Sequence, residues 1–176
     1  PDQVGRDHGT AKIDAWLITS AATNAQYFAS EALVDALLGR LTNGLAQYAF
    51  LHFAEADYNG HFFGWGSENY RYAVQHVDHQ LGRILAAIDQ SPALSRSLAI
   101  VLTADHGGRD FGHGNPLDPW EYQIPMFLWG AGLPGDTDLY ELFTNRAYPG
   151  TNRLLYTASP MPLWNGDTGN LALALL

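Results

Sequence analysis

The sequence predicts an α/β layered fold built on a mainly parallel sheet. Two observations carry that expectation. Apolar runs of strand length alternate with longer segments of helical period. Two of the runs, residues 48–53 and 98–103, lead directly into clusters of Asp, His and Gly. In open α/β sheets, ligand-binding residues sit just beyond the carboxyl ends of strands.

Each element has its own signal. Residues 1–12 are polar and show no period, and residues 13–18, with Trp16, Leu17 and two Ile, suit a strand. Residues 25–41 are rich in Ala, Leu and Glu. There Phe28, Leu33, Leu37 and Leu41 recur mostly at four-residue spacing, which is a helix signal. Asn43-Gly44 ends that helix. Residues 48–53 (Tyr-Ala-Phe-Leu-His-Phe) suit a strand buried on both faces. Residues 55–66 hold three Gly and several aromatics and suit a loop. Ser67 caps a long helix through Ile88. Its apolar stripe comprises Tyr70, Ala73, Val74, Val77, Leu81, Ile84, Leu85 and Ile88.

Residues 98–103 form the clearest strand, and a glycine-rich loop follows over residues 107–120. Residues 124–129 form another strand, closed by Gly130, and Pro125 suits its first part or a sheet edge. Residues 133–165 are loop-rich, with Pro134, Pro149, Pro160 and Pro162. Asp167 or Thr168 caps a final apolar helix. The chain opens on Pro1 and stops inside that apolar helix, so we read it as one domain's worth of a longer protein.

Composition narrows the function. With 176 residues and 47% hydrophobic content the chain can bury a core. A net charge of −9 argues against a nucleic-acid polymer as partner, because phosphate backbones demand basic surfaces. A small phosphorylated substrate remains compatible, since a bound metal reverses the local field. Zero Cys removes disulfides, Cys-based zinc sites and thiol nucleophiles. No apolar run is long enough to span a bilayer.

The chemistry concentrates in two segments. Asp57 and His61 follow the first run at D-x3-H spacing, and Asp105, His106 and then His113 follow the second. Carboxylate and neutral imidazole are ligands for zinc or a similar divalent ion, and manganese shares the donor set. Five ligands exceed the four of a tetrahedral site and suggest two ions, which can clamp the attacking and leaving oxygens of an in-line displacement. Either motif alone is a weak signal. Asp7-His8-Gly9 repeats the Asp-His-Gly motif after no apolar strand, and we assign it no ligand role. Glu55 is a candidate neighbour of the ligands, Trp65 a candidate pocket wall and Arg109 a candidate phosphate contact. Exposed or packed roles suit His52, His76 and His79 better, and Asp78 suits a local pair or a turn cap.

Taken together, these motifs resemble the alkaline phosphatase superfamily, and within it the type I phosphodiesterase/nucleotide pyrophosphatase branch. The resemblance rests on Phe53-Ala54-Glu55-Ala56-Asp57-Tyr58-Asn59-Gly60-His61 with Gly64-Trp65-Gly66-Ser67 and Tyr70. It also rests on Thr103-Ala104-Asp105-His106-Gly107-Gly108, Gly112-His113-Gly114 and residues 124–130. It implies an incomplete three-layer α/β/α sandwich, the C-terminal portion of a metal-dependent phosphohydrolase catalytic domain. It implies two divalent ions, usually zinc: Asp57, His61 and His113 on one, Asp105 and His106 on the other. The second ion normally also takes an N-terminal Asp and a Thr or Ser nucleophile, both expected upstream. Thr19, Ser20 and Thr23 stand too close to Asp57 for that role, so no catalytic nucleophile is assigned in this chain. The resemblance further implies a phosphate mono- or diester substrate and a periplasmic or extracellular location. Alternatives are a phosphomutase-type branch favouring manganese, a non-catalytic metal-binding domain of the same fold, and a structural α/β domain.

Overall fold

The computed structural model describes residues 17, 30–44, 47–151, 154, 155 and 157–176. Most of the strand expected at 13–18, the start of the first helix at 25–29, Asp7-His8-Gly9, and Thr19, Ser20 and Thr23 lie outside them.

Helix α1 (Ser30–Thr42) is followed by α2 (Glu55–Phe63), the long α3 (Glu68–Asp89) and the short α4 (Pro92–Ser97). Strand β1 (Ala99–Thr103), the single turn α5 (Pro119–Tyr122) and strand β2 (Met126–Gly130) come next. The single turn α6 (Leu139–Leu142) and α7 (Asp167–Leu175) close the chain. The α/β class holds, and the described sheet is smaller than the sequence reading expects. Among the described residues there is no three-layer sandwich around a mainly parallel sheet. There is one antiparallel pair, with Ala99 opposite Gly130 and Thr103 opposite Met126.

Residues 48–53 are the main departure. They pair with no strand among the described residues and are not buried on both faces. Leu51 and Phe53 turn inward onto the core, whereas Tyr48, Phe50 and His52 are exposed. Alternation of that kind belongs to an extended segment with one covered face. The apolar run predicts two covered faces, but no described neighbour supplies the second cover.

Residues 55–66 also differ from expectation, because most of them form α2 rather than a loop. Glu55 and Asp57 lie in its first turn, where carboxylates complement the helix dipole. Glycine content masked this helix. Gly60 sits inside it, while Gly64 (φ +93°) ends it and donates its N–H to the Gly60 carbonyl at 2.8 Å.

Other elements follow their signals. Gly44 (φ +65°) turns the chain after α1. The Ser67 hydroxyl accepts from the Tyr70 N–H and caps α3. Pro125 precedes β2, and its carbonyl accepts the Thr103 hydroxyl at 2.8 Å. At α7 the expectation needs correction, since Gly166 is the cap position and Asp167 is the first helical residue. The Asp167 carboxylate pairs with Arg146 and accepts from the Trp164 N–H.

The core joins α1, α3 and α4 to β1. Val34, Ile84 and Ile88 are buried there, with Leu37, Leu38, Leu51, Phe53, Leu94, Leu98 and Ile100 against them. The fully buried Glu55 ties α2 to α1 by accepting the Ser30 backbone N–H at 2.6 Å, and within α2 the buried Asn59 donates to the Glu55 carbonyl at 2.8 Å. No helix among the described residues is long and apolar enough to cross a membrane.

Ile88 has no exposed surface and sits at the centre of this core. Ile88→Ala should therefore destabilise the protein by about 2–5 kcal/mol, the cost of lost burial plus a cavity. Urea denaturation checks this through a lower midpoint at unchanged slope.

Candidate metal centre

Two local geometries bring the donors together. In α2, Asp57 and His61 are one turn apart and share a helix face, so D-x3-H becomes an i,i+4 pair. β1 ends at Thr103 and delivers Asp105 and His106 immediately beyond. The loop then doubles back through the paired Arg109 and Gly112 and presents His113 beside His106. The rings of His106 and His113 stack with centroids 3.6 Å apart.

All five predicted ligands join in one cluster. Asp57 Oδ1 lies 3.4 Å from His61 Nε2, 3.6 Å from His113 Nε2 and 3.7 Å from His106 Nε2. His61 Nε2 is 3.1 Å from His113 Nε2, and Asp105 Oδ2 is 3.5 Å from His106 Nε2. Asp57, His106 and His113 form a group with donor atoms mutually within 4.8 Å. His106 thus approaches Asp57 nearly as closely as Asp105, and the division into two ligand sets is less sharp than the resemblance implies.

The donor chemistry fits a cation. Asp57 Oδ1 is buried and has no hydrogen-bond partner. His61 Nδ1 lies 2.9 Å from the Phe111 carbonyl oxygen, and His106 Nδ1 lies 2.8 Å from that of Gly107. A carbonyl only accepts, so both Nδ1 atoms carry a proton, and in the neutral imidazole that metal binding requires both Nε2 atoms present lone pairs. Backbone carbonyls on the far ring nitrogen hold metal-ligating histidines in just this tautomer. Lone pairs converging on a carboxylate oxygen need positive charge among them. Ligands about 2.0–2.1 Å from a tetrahedral zinc stand about 3.3–3.4 Å apart, close to the separations here.

Further residues brace the centre. Asn165 donates to the Asp105 carbonyl at 2.9 Å, and the Gly107 N–H donates to the Glu121 carbonyl at 2.8 Å. Glu121 Oε2 also accepts the Asn115 N–H. No sequence signal marks these contacts, because they bridge loops without a period. Trp65 meets both His61 and His113 edge-on. Burial pushes the Tyr70 phenol beside it above the ordinary value, so that ring stays neutral near pH 7.

Several candidates stand elsewhere. Glu55 is spent on Ser30, and Arg109 pairs with Asp118 at 3.1 Å on the surface. His52, Asp78 and His79 are exposed, and His76 is half-buried on α3. Among the described residues, no Ser or Thr hydroxyl hydrogen-bonds any of the five donors.

Comparison with known proteins places the chain in a family. The family model for type I phosphodiesterase/nucleotide pyrophosphatase matches residues 2–124, a span containing all five donors. GPI ethanolamine phosphate transferase 1 from Homo sapiens is 27% identical over 69% of this chain and 13% of its own length. The protein of that name from Gibberella zeae is 27% identical over 81% of this chain and 14% of its own. That from Saccharomyces cerevisiae is 32% identical over 48% of this chain and 9% of its own. The chain thus spans only a small part of the curated relatives it matches. No solved structure matches it significantly. A family model covering well over half of the chain makes it a member of the type I phosphodiesterase/nucleotide pyrophosphatase family, within the alkaline phosphatase superfamily.

Proposed function

We propose that this chain is the metal-holding portion of a larger catalytic domain that cleaves phosphate esters. The observation that carries the reading is Asp57 Oδ1, a buried atom on a partly exposed side chain, without a hydrogen-bond partner and facing three imidazole nitrogens. In this reading Asp57, His61 and His113 hold one divalent ion, and Asp105 and His106 help hold a second. Zinc suits the imidazole-rich donor set, with manganese the alternative. A bound pair of such ions supplies Lewis-acid stabilisation of a phosphoryl group and activation of an oxygen nucleophile.

The chain's own residues then have defined tasks. The Phe111 and Gly107 carbonyls keep His61 and His106 in the ligating tautomer. Asn165 steadies the backbone at Asp105. A Thr or Ser nucleophile and a further Asp come from sequence N-terminal to Asp57. The substrate is a small phosphorylated molecule, handled in an extracytoplasmic compartment.

Two acceptors are in view. Water makes the enzyme a hydrolase, as the family's description as phosphodiesterase and pyrophosphatase supports. An alcohol makes it a transferase, as the relatives named ethanolamine phosphate transferase support. Metal-loaded protein incubated with bis-p-nitrophenyl phosphate and with a phosphoethanolamine diester, each with and without a small alcohol, separates them. Products formed without alcohol identify the hydrolase, and transfer only when alcohol is present identifies the transferase. Absence of both bound metal and turnover overturns the proposal.

Two predictions follow from the ligand set. Asp57→Ala and His113→Ala should remove most of the bound zinc or manganese, measured by elemental analysis per folded chain. His79→Ala, at an exposed helical position, should leave the metal content unchanged. Metal should also be lost on acidification, because ligation requires neutral imidazoles and protons compete for them. Zinc affinity, measured by competition with a chelator of known pH dependence, should therefore weaken progressively as pH is lowered from neutrality. A zinc affinity that does not weaken as pH is lowered would contradict a histidine-based centre.

A further inference from the structure

Two glycines beside the ligands have a spatial role. Gly60 precedes His61 on α2, and Gly108 lies between His106 and His113. Neither has a positive φ, unlike Gly64 and Gly66 nearby, so the backbone does not require glycine at either position. Space does. A Cβ built on Gly60 would lie 2.6 Å from Cε2 and 2.7 Å from Cδ2 of the Trp65 indole, and one on Gly108 would lie closer still to the same two atoms. One indole therefore fills the gap between α2 and the loop that carries His113.

The backbone anchors that ring at its own end. Trp65 donates its N–H to the Asp110 carbonyl at 2.7 Å, inside the same loop. At its other end the ring meets His61 at 5.0 Å and 84°, and His113 at 6.0 Å and 71°. Both are edge contacts, which leave the Nε2 atoms of the two imidazoles facing each other at 3.1 Å.

We infer that Trp65 is a positioning residue. Wedged between Gly60 and Gly108, its indole sets the separation of the His61 and His113 rings and thereby the affinity and geometry of the metal centre. The inference rests on the ligand assignment proposed above. Ligand distances must be held within a few tenths of an ångström for tight binding, and residues that only orient ligands typically control about 10–100-fold in affinity. Trp65 reaches no donor atom, so its whole effect passes through the two histidines.

The test uses the full-length protein with Trp65→Phe, Trp65→Ala, Gly60→Ala, Gly108→Ala and the double variant Trp65→Ala/Gly108→Ala. Zinc affinity is measured by competition with a chromophoric chelator, the visible spectrum of the cobalt-loaded protein reports ligand geometry, and far-UV circular dichroism reports the fold. Each single alanine variant should bind zinc about 10–100-fold more weakly with a shifted cobalt spectrum. Trp65→Phe should fall between these and the wild type. Adding Gly108→Ala to Trp65→Ala should cost much less than Gly108→Ala alone, since the ring it collides with is gone. Should Trp65→Ala lose its fold, the two glycine variants, which keep the indole, decide the matter. Wild-type zinc affinity and cobalt spectrum in the folded variants would overturn the positioning role while leaving the ligand assignment intact. A wild-type protein that binds neither metal would overturn the ligand assignment itself and this inference with it.

Discussion

A carboxylate oxygen withdrawn from water must find a donor or a cation, because leaving it bare costs more than most single interactions return. Asp57 Oδ1 is such an atom, and its surroundings are three imidazole nitrogens, two of which bear lone pairs in the neutral rings that the far-side hydrogen bonds orient. The rest of the molecule can be understood as the means of holding that arrangement. α2 supplies Asp57 and His61 at one turn's spacing. β1 supplies Asp105 and His106 at its end, and a braced loop returns His113 to stack on His106. In lone-pair repulsion the arrangement stores a preference for positive charge, which acidic overall composition reinforces.

Support for the centre is distributed unevenly. Its α2 side is sheltered: Glu55 and Asn59 are fully buried, and the Ser30 N–H binds α1 to the same helix. The Asp105 side is open, with its carboxylate largely in solvent and its backbone held by Asn165 from the last loop. α3 spans between the two, capped by Ser67 at the site and packed through Ile84 and Ile88 onto α1 at its far end. Core packing thus fixes where the two donor segments meet, while loop hydrogen bonds fix how the side chains point.

The site was more legible in the sequence than the fold. Donor type is written in single letters, and the D-x3-H and Asp-His-Gly spacings survive whatever the backbone does between them, so the five residues that the structure brings near one another, and that we propose as ligands, stand out in the sequence. Helix α3 and strand β1 were equally plain, each carrying a long or uniform apolar pattern. The failures have local causes. Gly60 and Gly64 gave α2 the composition of a loop, although only Gly64 ends it. Residues 48–53 are apolar enough for a central strand, yet a strand is a property of its neighbours, and the described residues give it none. Pairing direction was invisible for the same reason, since β1 and β2 look alike whether parallel or antiparallel. Asn165 and Glu121 lay beyond reach because a single polar residue in a loop has no period to announce its partner.

This chain has no cysteine, and hence no disulfide to shorten its unfolded ensemble. A metal ion gripping His61 on α2 and His113 in the loop beyond β1 would close the stretch between them much as a covalent bridge does. On the loop-entropy account, a clasp across that span is worth about 4 kcal/mol. It would bind the folded state and not the unfolded one, so its contribution would grow with free metal concentration. The same five side chains proposed to handle a phosphate ester would then serve as a removable staple for α3, α4 and β1, and metal supply would regulate the lifetime of the fold together with its chemistry.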